Sequence, residues 1–151
     1  MKLIEKYVKM LLVTFLLVVL LTACSNIPES EKGNIKYLSK DNPGVLDAKK
    51  QAQTEMGWFI ANWQNYSNDS HYIFSIKNNF YDGNEYEHMW VTVTDYKDGI
   101  FYGKLDNDPF VVKNLKYNDT VSVKKENVED WIMYNGYLDK ATGGFSINSL
   151  K

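Results

Sequence analysis

Between Asn65 and Ser70 the hydrophobic period of this chain changes, and the change limits the folds open to it. Upstream, from Val45 to about Trp63, the residues Ala48, Ala52, Met56, Phe59 and Trp63 recur at spacings of three and four. That stripe follows one face of an amphipathic helix. Asn42-Pro43 supplies its start: a capping side chain, then a Pro in the first turn, where its missing N–H costs nothing. Downstream the period is two, the spacing at which strand residues share one face of a sheet. Strands are predicted over Tyr72–Asn78, His88–Tyr96, Ile100–Leu105, Phe110–Val112, Thr120–Lys124 and Trp131–Tyr134, with turns containing Gly, Asn or Asp between them. Glu126 to Asp130 has room for one helical turn, and Gly143-Gly144 introduces a short C-terminal segment. The expected fold class is α+β: one N-terminal amphipathic helix packed on a curved antiparallel sheet or small open barrel of five to six strands.

One hairpin reads in more detail. A loop of Lys97-Asp98-Gly99 would pair Tyr96 with Ile100 and place Gly99 at a left-handed position. Met89, Val91, Val93, Phe101 and Leu105 then share the core face, while Trp90, Thr92, Thr94, Tyr96, Tyr102 and Lys104 share the other. A two-residue loop, Asp98-Gly99, would oppose Lys97 to Ile100 and mix apolar and polar residues on both faces, so the segregation favours the three-residue loop.

The residues before the helix are of another kind. Lys2, Lys6 and Lys9 precede Met10 to Leu21, an uncharged apolar run too short for the roughly 20 residues of a membrane span and suited to a secretory leader. Leu21-Thr22-Ala23-Cys24 resembles the lipobox of bacterial lipoproteins. That resemblance implies cleavage before Cys24 and a diacylglyceryl group on it; two acyl chains anchor stably where one binds marginally. An uncleaved helical anchor is the other reading, and both place the domain on the extracytoplasmic face of the cell membrane. The expected organisation is a signal peptide over residues 1–23, a lipidated flexible tether over 24–42 and a domain over 43–151. The polar tether would span roughly 20–25 Å as a coil.

Charge and composition exclude several classes. The net charge is −2, with 17 Lys and no Arg, and becomes −4 once the leader is removed. No basic field exists to hold nucleic acid, and no planar guanidinium to grip a phosphate. With a single Cys there is no disulfide framework and no multi-thiolate metal site. The densest polar cluster is Glu85, Glu87 and His88, which Asp106 and Asp108 could join. Strand alternation would turn Glu87 and His88 to opposite faces, so a solvated strand entry is the better reading than a metal site, even with His71 recruited. Asp106-Asn107-Asp108 opens like a calcium loop, but Pro109 follows and position twelve is Tyr117; a turn is preferred. No nucleophile elbow is present, and Cys24 is consumed by lipid. No catalytic residue, metal or cofactor is therefore assigned.

The aromatic content, with eleven Tyr, seven Phe and four Trp, is the stronger anomaly. Such side chains suit protein interfaces and sugar-stacking surfaces as well as cores. Trp90, Thr92, Thr94, Tyr96, Tyr102 and Lys104 form the candidate binding face.

Five motifs in order resemble the YegJ-like bacterial domain of unknown function: Glu87-His88-Met89-Trp90-Val91, Gly103 to Pro109 (GKLDNDP), Leu115 to Val121 (LKYNDTV), Val128-Glu129-Asp130-Trp131, and Gly143-Gly144. The resemblance covers roughly Asp47 to the C-terminus. Asn118 stands where the family commonly has Gly, a change that a left-handed turn tolerates. The family implies a compact domain and carries over no activity or site residue.

The function expected from these features is a non-catalytic, lipid-anchored extracytoplasmic binding protein with a protein partner. Its specific form would be an immunity or protective lipoprotein that intercepts a toxin at the cell surface. The alternative is a cell-wall carbohydrate-binding or hydrolytic envelope enzyme.

Overall fold

The computed structural model describes residues 43–148. The leader, Cys24 and the tether lie outside the described residues. Two helices, α1 (Pro43–Thr54) and α2 (Met56–Tyr66), precede strands β1 (Tyr72–Asp82), β2 (Glu85–Lys97), β3 (Ile100–Leu105), β4 (Thr120–Lys124), β5 (Asp130–Asn135) and β6 (Lys140–Gly143). A 3-10 turn at Lys125–Asn127 and a final short helix α3 (Phe145–Asn148) complete the order. The strands form one antiparallel sheet in the order β4-β3-β2-β1-β5-β6.

The expected α+β arrangement of one helix on a curved sheet or small barrel is corrected on three counts. Strand residues outweigh helical ones. The sheet is open, since β4 and β6 are its edges and pair with neighbours on one side only. The single helix is two short ones, broken at Glu55 (φ −95°, ψ 4°). The break has a tertiary cause: in the last turn of α1, where carbonyls lack partners along the helix, Ala52 O accepts the indole N–H of Trp131 at 3.0 Å. Gly57, a weak helix former, lies two residues beyond the break.

The apolar stripe nevertheless faces the sheet. Ala48, Ala52, Met56 and Phe59 are buried, and the ring of Phe59 lies among Phe74, Phe101 and Trp131 at 5.1–5.9 Å. The inner strand faces contribute Phe74, Ile76, Met89, Val91, Val93, Phe101, Leu105, Val123, Trp131 and Met133 to the same core. Burying a large side chain of this kind contributes about 1.5–3 kcal/mol, and this shared core is what holds the helices on the sheet.

The β2–β3 hairpin departs from expectation in a way that explains itself. Lys97 pairs with Ile100, so the loop is the two-residue Asp98-Gly99, with φ of 52° and 79°. Both residues are left-handed, as a type I′ turn requires. The register is then restored by a bulge: Val93 pairs with Gly103 and Asp95 with Tyr102, leaving Thr94 unopposed. Upstream of the bulge Met89, Val91 and Val93 face the core with Phe101 and Leu105, as the alternation predicted. Beyond it the parity inverts. Tyr96 pairs with Phe101, lies 4.5 Å from its ring and meets Trp63 edge-on at 6.3 Å. Its expected place on the outer face is therefore wrong.

Phe110–Val112 is loop and not strand. Its backbone amides are taken by the carboxylate of Glu87, which accepts from Phe110, Val111 and Val112 N–H at 2.9–3.4 Å. Asp82 holds Lys113 N in the same way, and Val112 is fully buried under this strap. At the C-terminal end the chain leaves β6 through Gly143 and Gly144, both at positive φ. A Cβ on Gly143 would lie 2.1 Å from Trp131 O, so no other residue fits there.

Candidate functional site

Alternation along β1, β2 and β3 sends a second set of side chains to the face of the sheet opposite the helices. Cross-strand register aligns them in rows: Lys77 beside Trp90, Ser75 beside Thr92, Thr92 beside Lys104, and Asn79 beside His88. Tyr81 and Tyr86 are paired at the far end, with rings 6.2 Å apart. On this face Ile73, Tyr81, Tyr86 and Tyr102 remain 48%, 62%, 39% and 37% exposed.

Polar contacts stiffen the surface. His88 Nδ1 and Glu129 Oε2 are 2.5 Å apart, and the ring of Tyr86 meets that of His88 edge-on. Lys77 Nζ lies 5.6 Å from the centre of the Trp90 ring and donates to Ser146 Oγ at 3.4 Å. Lys104 Nζ donates to Thr120 Oγ1 at 2.8 Å, and Thr94 Oγ1 donates to Tyr102 O at 3.3 Å. Asp130 is fully buried and receives the backbone N–H groups of Trp131, Phe145 and Ser146 together with the Ser146 hydroxyl. Its carboxylate fastens the start of α3 to the start of β5.

Of the residues singled out in the sequence, Trp90, Thr92, Tyr102, Lys104 and His88 share this outer face. Thr94 sits at the bulge beside them, and Tyr96 does not belong. The polar cluster does not assemble as a unit. Glu87 points to the inner side and pins the strap, while Glu85 is exposed at the β1–β2 turn. Asp106 and Asp108 lie in the loop after β3, where Asp106 N donates to Trp90 O and Asn107 Oδ1 accepts from Trp90 N at 2.6 Å. These are turn contacts that fix the strand end. Asn118, at φ 67°, occupies the left-handed turn expected of it.

A second aromatic group went unnoticed in the sequence. His71 stacks on Tyr137 at 4.1 Å, Tyr66 stacks on Tyr72 at 4.6 Å, and Tyr72 meets Tyr137 edge-on. Asp69 accepts from His71 N and lies 3.0 Å from its Nδ1, while Tyr137 Oη donates to the other carboxylate oxygen. The His71 backbone amide, then its ring and the Tyr137 hydroxyl, hold the Asp69 carboxyl below its ordinary value. Tyr137 is raised by partial desolvation and by the Asp69 carboxylate, and Tyr134 by its hydrogen bond to Asp139. The partners are far apart in sequence and no short spacing marks them; only Asp69-Ser70-His71, as an Asx turn, was locally legible.

These features locate surfaces, and comparison with other proteins locates the chain among its relatives. The family described as "Uncharacterized protein conserved in bacteria (DUF2314)" matches residues 42–151. The chain belongs to the DUF2314 family. Within reach of that family, it is 34% identical over 110 residues to "Uncharacterized protein YegJ" of Escherichia coli (strain K12), covering 73% of this chain and 69% of that protein. It is also 35% identical over 72 residues to "Putative ankyrin repeat protein NMB1133/NMB1171" of Neisseria meningitidis serogroup B (strain ATCC BAA-335 / MC58). That match covers 46% of this chain and 27% of the Neisseria protein, so it concerns one part of a longer molecule. No solved structure matches. The DUF2314 match and the YegJ relationship bear out the family expected from the five motifs, a bacterial domain of unknown function.

Proposed function

We propose that this DUF2314 protein is a lipid-anchored, extracytoplasmic binding protein without catalytic activity, which engages a protein partner through the outer face of its sheet. The observation that carries the reading is the set of exposed rings on that face, Tyr81 and Tyr86 paired at one end and Tyr102 near the other. An antiparallel sheet with one solvated face needs only polar residues there. Here Tyr81, Tyr86 and Tyr102 are exposed around a half-buried Trp90, a composition typical of protein interfaces. Lys77, beside Trp90, and Lys104, beside Thr92, add charge to the face, and the His88–Glu129 pair restricts side-chain motion beside the rings. Rigid aromatic surface lowers the entropy lost on docking.

The membrane attachment rests on Leu21-Thr22-Ala23-Cys24 and the apolar run before it. Interception of a secreted toxin is the narrower form of the proposal, in keeping with a small acidic domain held at the cell surface.

Photocrosslinking in intact cells from a probe at Tyr102, followed by identification of the captured protein, tests the docking face. The expected result is one dominant crosslinked species, lost in Trp90→Ala. A yield independent of Trp90 would overturn the assignment of the face. The anchor is tested separately: Cys24→Ser should move the protein from the membrane to the soluble fraction.

A further inference from the structure

Charge is unevenly distributed over this molecule, and the outer face shows it. Residues directly opposite in an antiparallel ladder project to the same side, so the register sets the outer residues of β2, β3 and β4 in rows. Lys97, Ile100 and Lys124 form one row, Asp95, Tyr102 and Ser122 the next, and Thr92, Lys104 and Thr120 a third. Rows on one face lie about 6.8 Å apart, which puts Lys104 roughly 14 Å from the Lys97–Lys124 row, with Tyr102 between.

The lysines of this patch lack acidic partners. Lys97, Lys104 and Lys124 are exposed, and among the described residues none is paired with a carboxylate; Lys104 Nζ donates to Thr120 Oγ1. The one acid in the rows is Asp95, whose Oδ1 accepts the backbone N–H of Tyr96. Asp98 and Glu126 follow in the turns beyond the first row. Nearer β5, Glu129 is engaged by His88, and Asp130 is buried under its own set of N–H donors. Elsewhere acids prevail: Asp69, Asp82, Glu85, Asp106, Asp108 and Asp119 lie in or beside loops, and the chain carries −2 overall. The patch is a cationic exception on an acidic molecule.

Such a field attracts negative groups and turns away positive ones. Three kinds of anion would meet it differently. A phosphate polymer has no side chains to cover Tyr102 and Ile100, and the chain has no Arg to grip phosphate through two parallel bonds. An anionic bilayer would repel the acidic remainder of the protein. A protein surface supplies both carboxylates and apolar cover.

We propose that the β3–β4 half of the outer face docks an acidic segment of the protein partner. Its carboxylates are set against Lys97, Lys104 and Lys124, and an apolar side chain covers Tyr102. The proposal rests on the docking reading above and names the chemistry of what docks.

The test is photocrosslinking of the full chain in intact cells from a probe at Ser122, which is exposed beside Tyr102. The double variant Lys104→Glu/Lys124→Glu should lower the yield of crosslinked protein about tenfold or more. Lys50→Glu/Lys140→Glu makes the same change in net charge at exposed positions off the face and should leave the yield unaltered. Replacing the facing carboxylates of the captured protein by Lys should restore capture by Lys104→Glu/Lys124→Glu. An undiminished yield in that variant, or an equal fall in Lys50→Glu/Lys140→Glu, would overturn this proposal and leave the docking face standing. So would capture of a lipid, a phosphate polymer or a second copy of this chain in place of another protein. No crosslinked species from either Ser122 or Tyr102 would overturn both.

Discussion

Trp131 joins the helices, the sheet and the C-terminal turn through one side chain. It is fully buried, packs against Trp58, Phe59 and Phe145, and ties the end of α1 through Ala52 O. Trp131→Phe keeps most of the ring contact but removes the donor, leaving a buried carbonyl unpaired. The expected loss is about 1–3 kcal/mol in chemical denaturation, with the larger effect on α1 amide protection. Titration offers a second check at this scale. Tyr134 is raised above the ordinary value of 10.0 by its hydrogen bond to Asp139, and Tyr137 by desolvation and then by the Asp69 carboxylate. A raised folded-state value means that their contribution to stability is complete below about pH 10 and is lost as pH rises through the folded value. Tyr134→Phe should therefore lower stability slightly at neutral pH, where the contribution is complete, and flatten the alkaline limb of the stability profile, so that variant and parent converge as pH rises. Asp69 has the opposite sign, since its lowered value gives a contribution lost only as pH falls through it. Residue-level reading of the sequence succeeded for Trp90 and Tyr102 because strict alternation assigns a face. It failed for Tyr96 because one unopposed residue, Thr94, inverts every assignment beyond it.

Among elements, those with a strong period were legible and those made by distant hydrogen bonds were not. The Ala48-to-Phe59 stripe reads at helical spacing, whereas the interruption at Glu55 depends on an indole nearly eighty residues away. Phe110–Val112 has the composition of a strand and the partners of a strap, since the three amides that would enter a ladder belong to Glu87. Glu87→Gln should weaken those charge-assisted bonds by about 1–2 kcal/mol, seen as faster amide exchange at Phe110 to Val112 with the sheet core unaffected. β6 was missed because Lys140-Ala141-Thr142-Gly143 carries no alternation and makes an edge by position alone. Its exit is strict, however. Gly143→Ala meets both a positive φ of 89° and the Trp131 carbonyl, and should cost about 2–5 kcal/mol in thermal or denaturant unfolding.

Taken whole, the molecule presents two sheet edges and two unlike faces. Both edges are short and carry Lys: β4 has five residues and ends at Lys124, and β6 has four and begins at Lys140. Such edges discourage pairing between copies. The segment 43–151, purified alone, should sediment as a monomer, and a concentration-dependent dimer would contradict this account of the edges. The inner face was legible from hydrophobic pattern, and the outer face partly so. The divergence of β1 and β2 was invisible: their ladder stops at Ser75 opposite Thr92, while β1 goes on pairing with β5 to Tyr72 and β2 with β3 to Lys97, and a ladder that stops early leaves no mark on either strand taken separately. Its consequence is felt across the whole sheet. The leaf formed by β3 and β4 and the leaf formed by β5 and β6 are joined through eight register pairs, Ser75–Thr92 to Asp82–Glu85, as pages are joined at a spine. The ring of Phe59 touches Phe101 on one page and Trp131 on the other, so the helix layer binds the two pages across that spine.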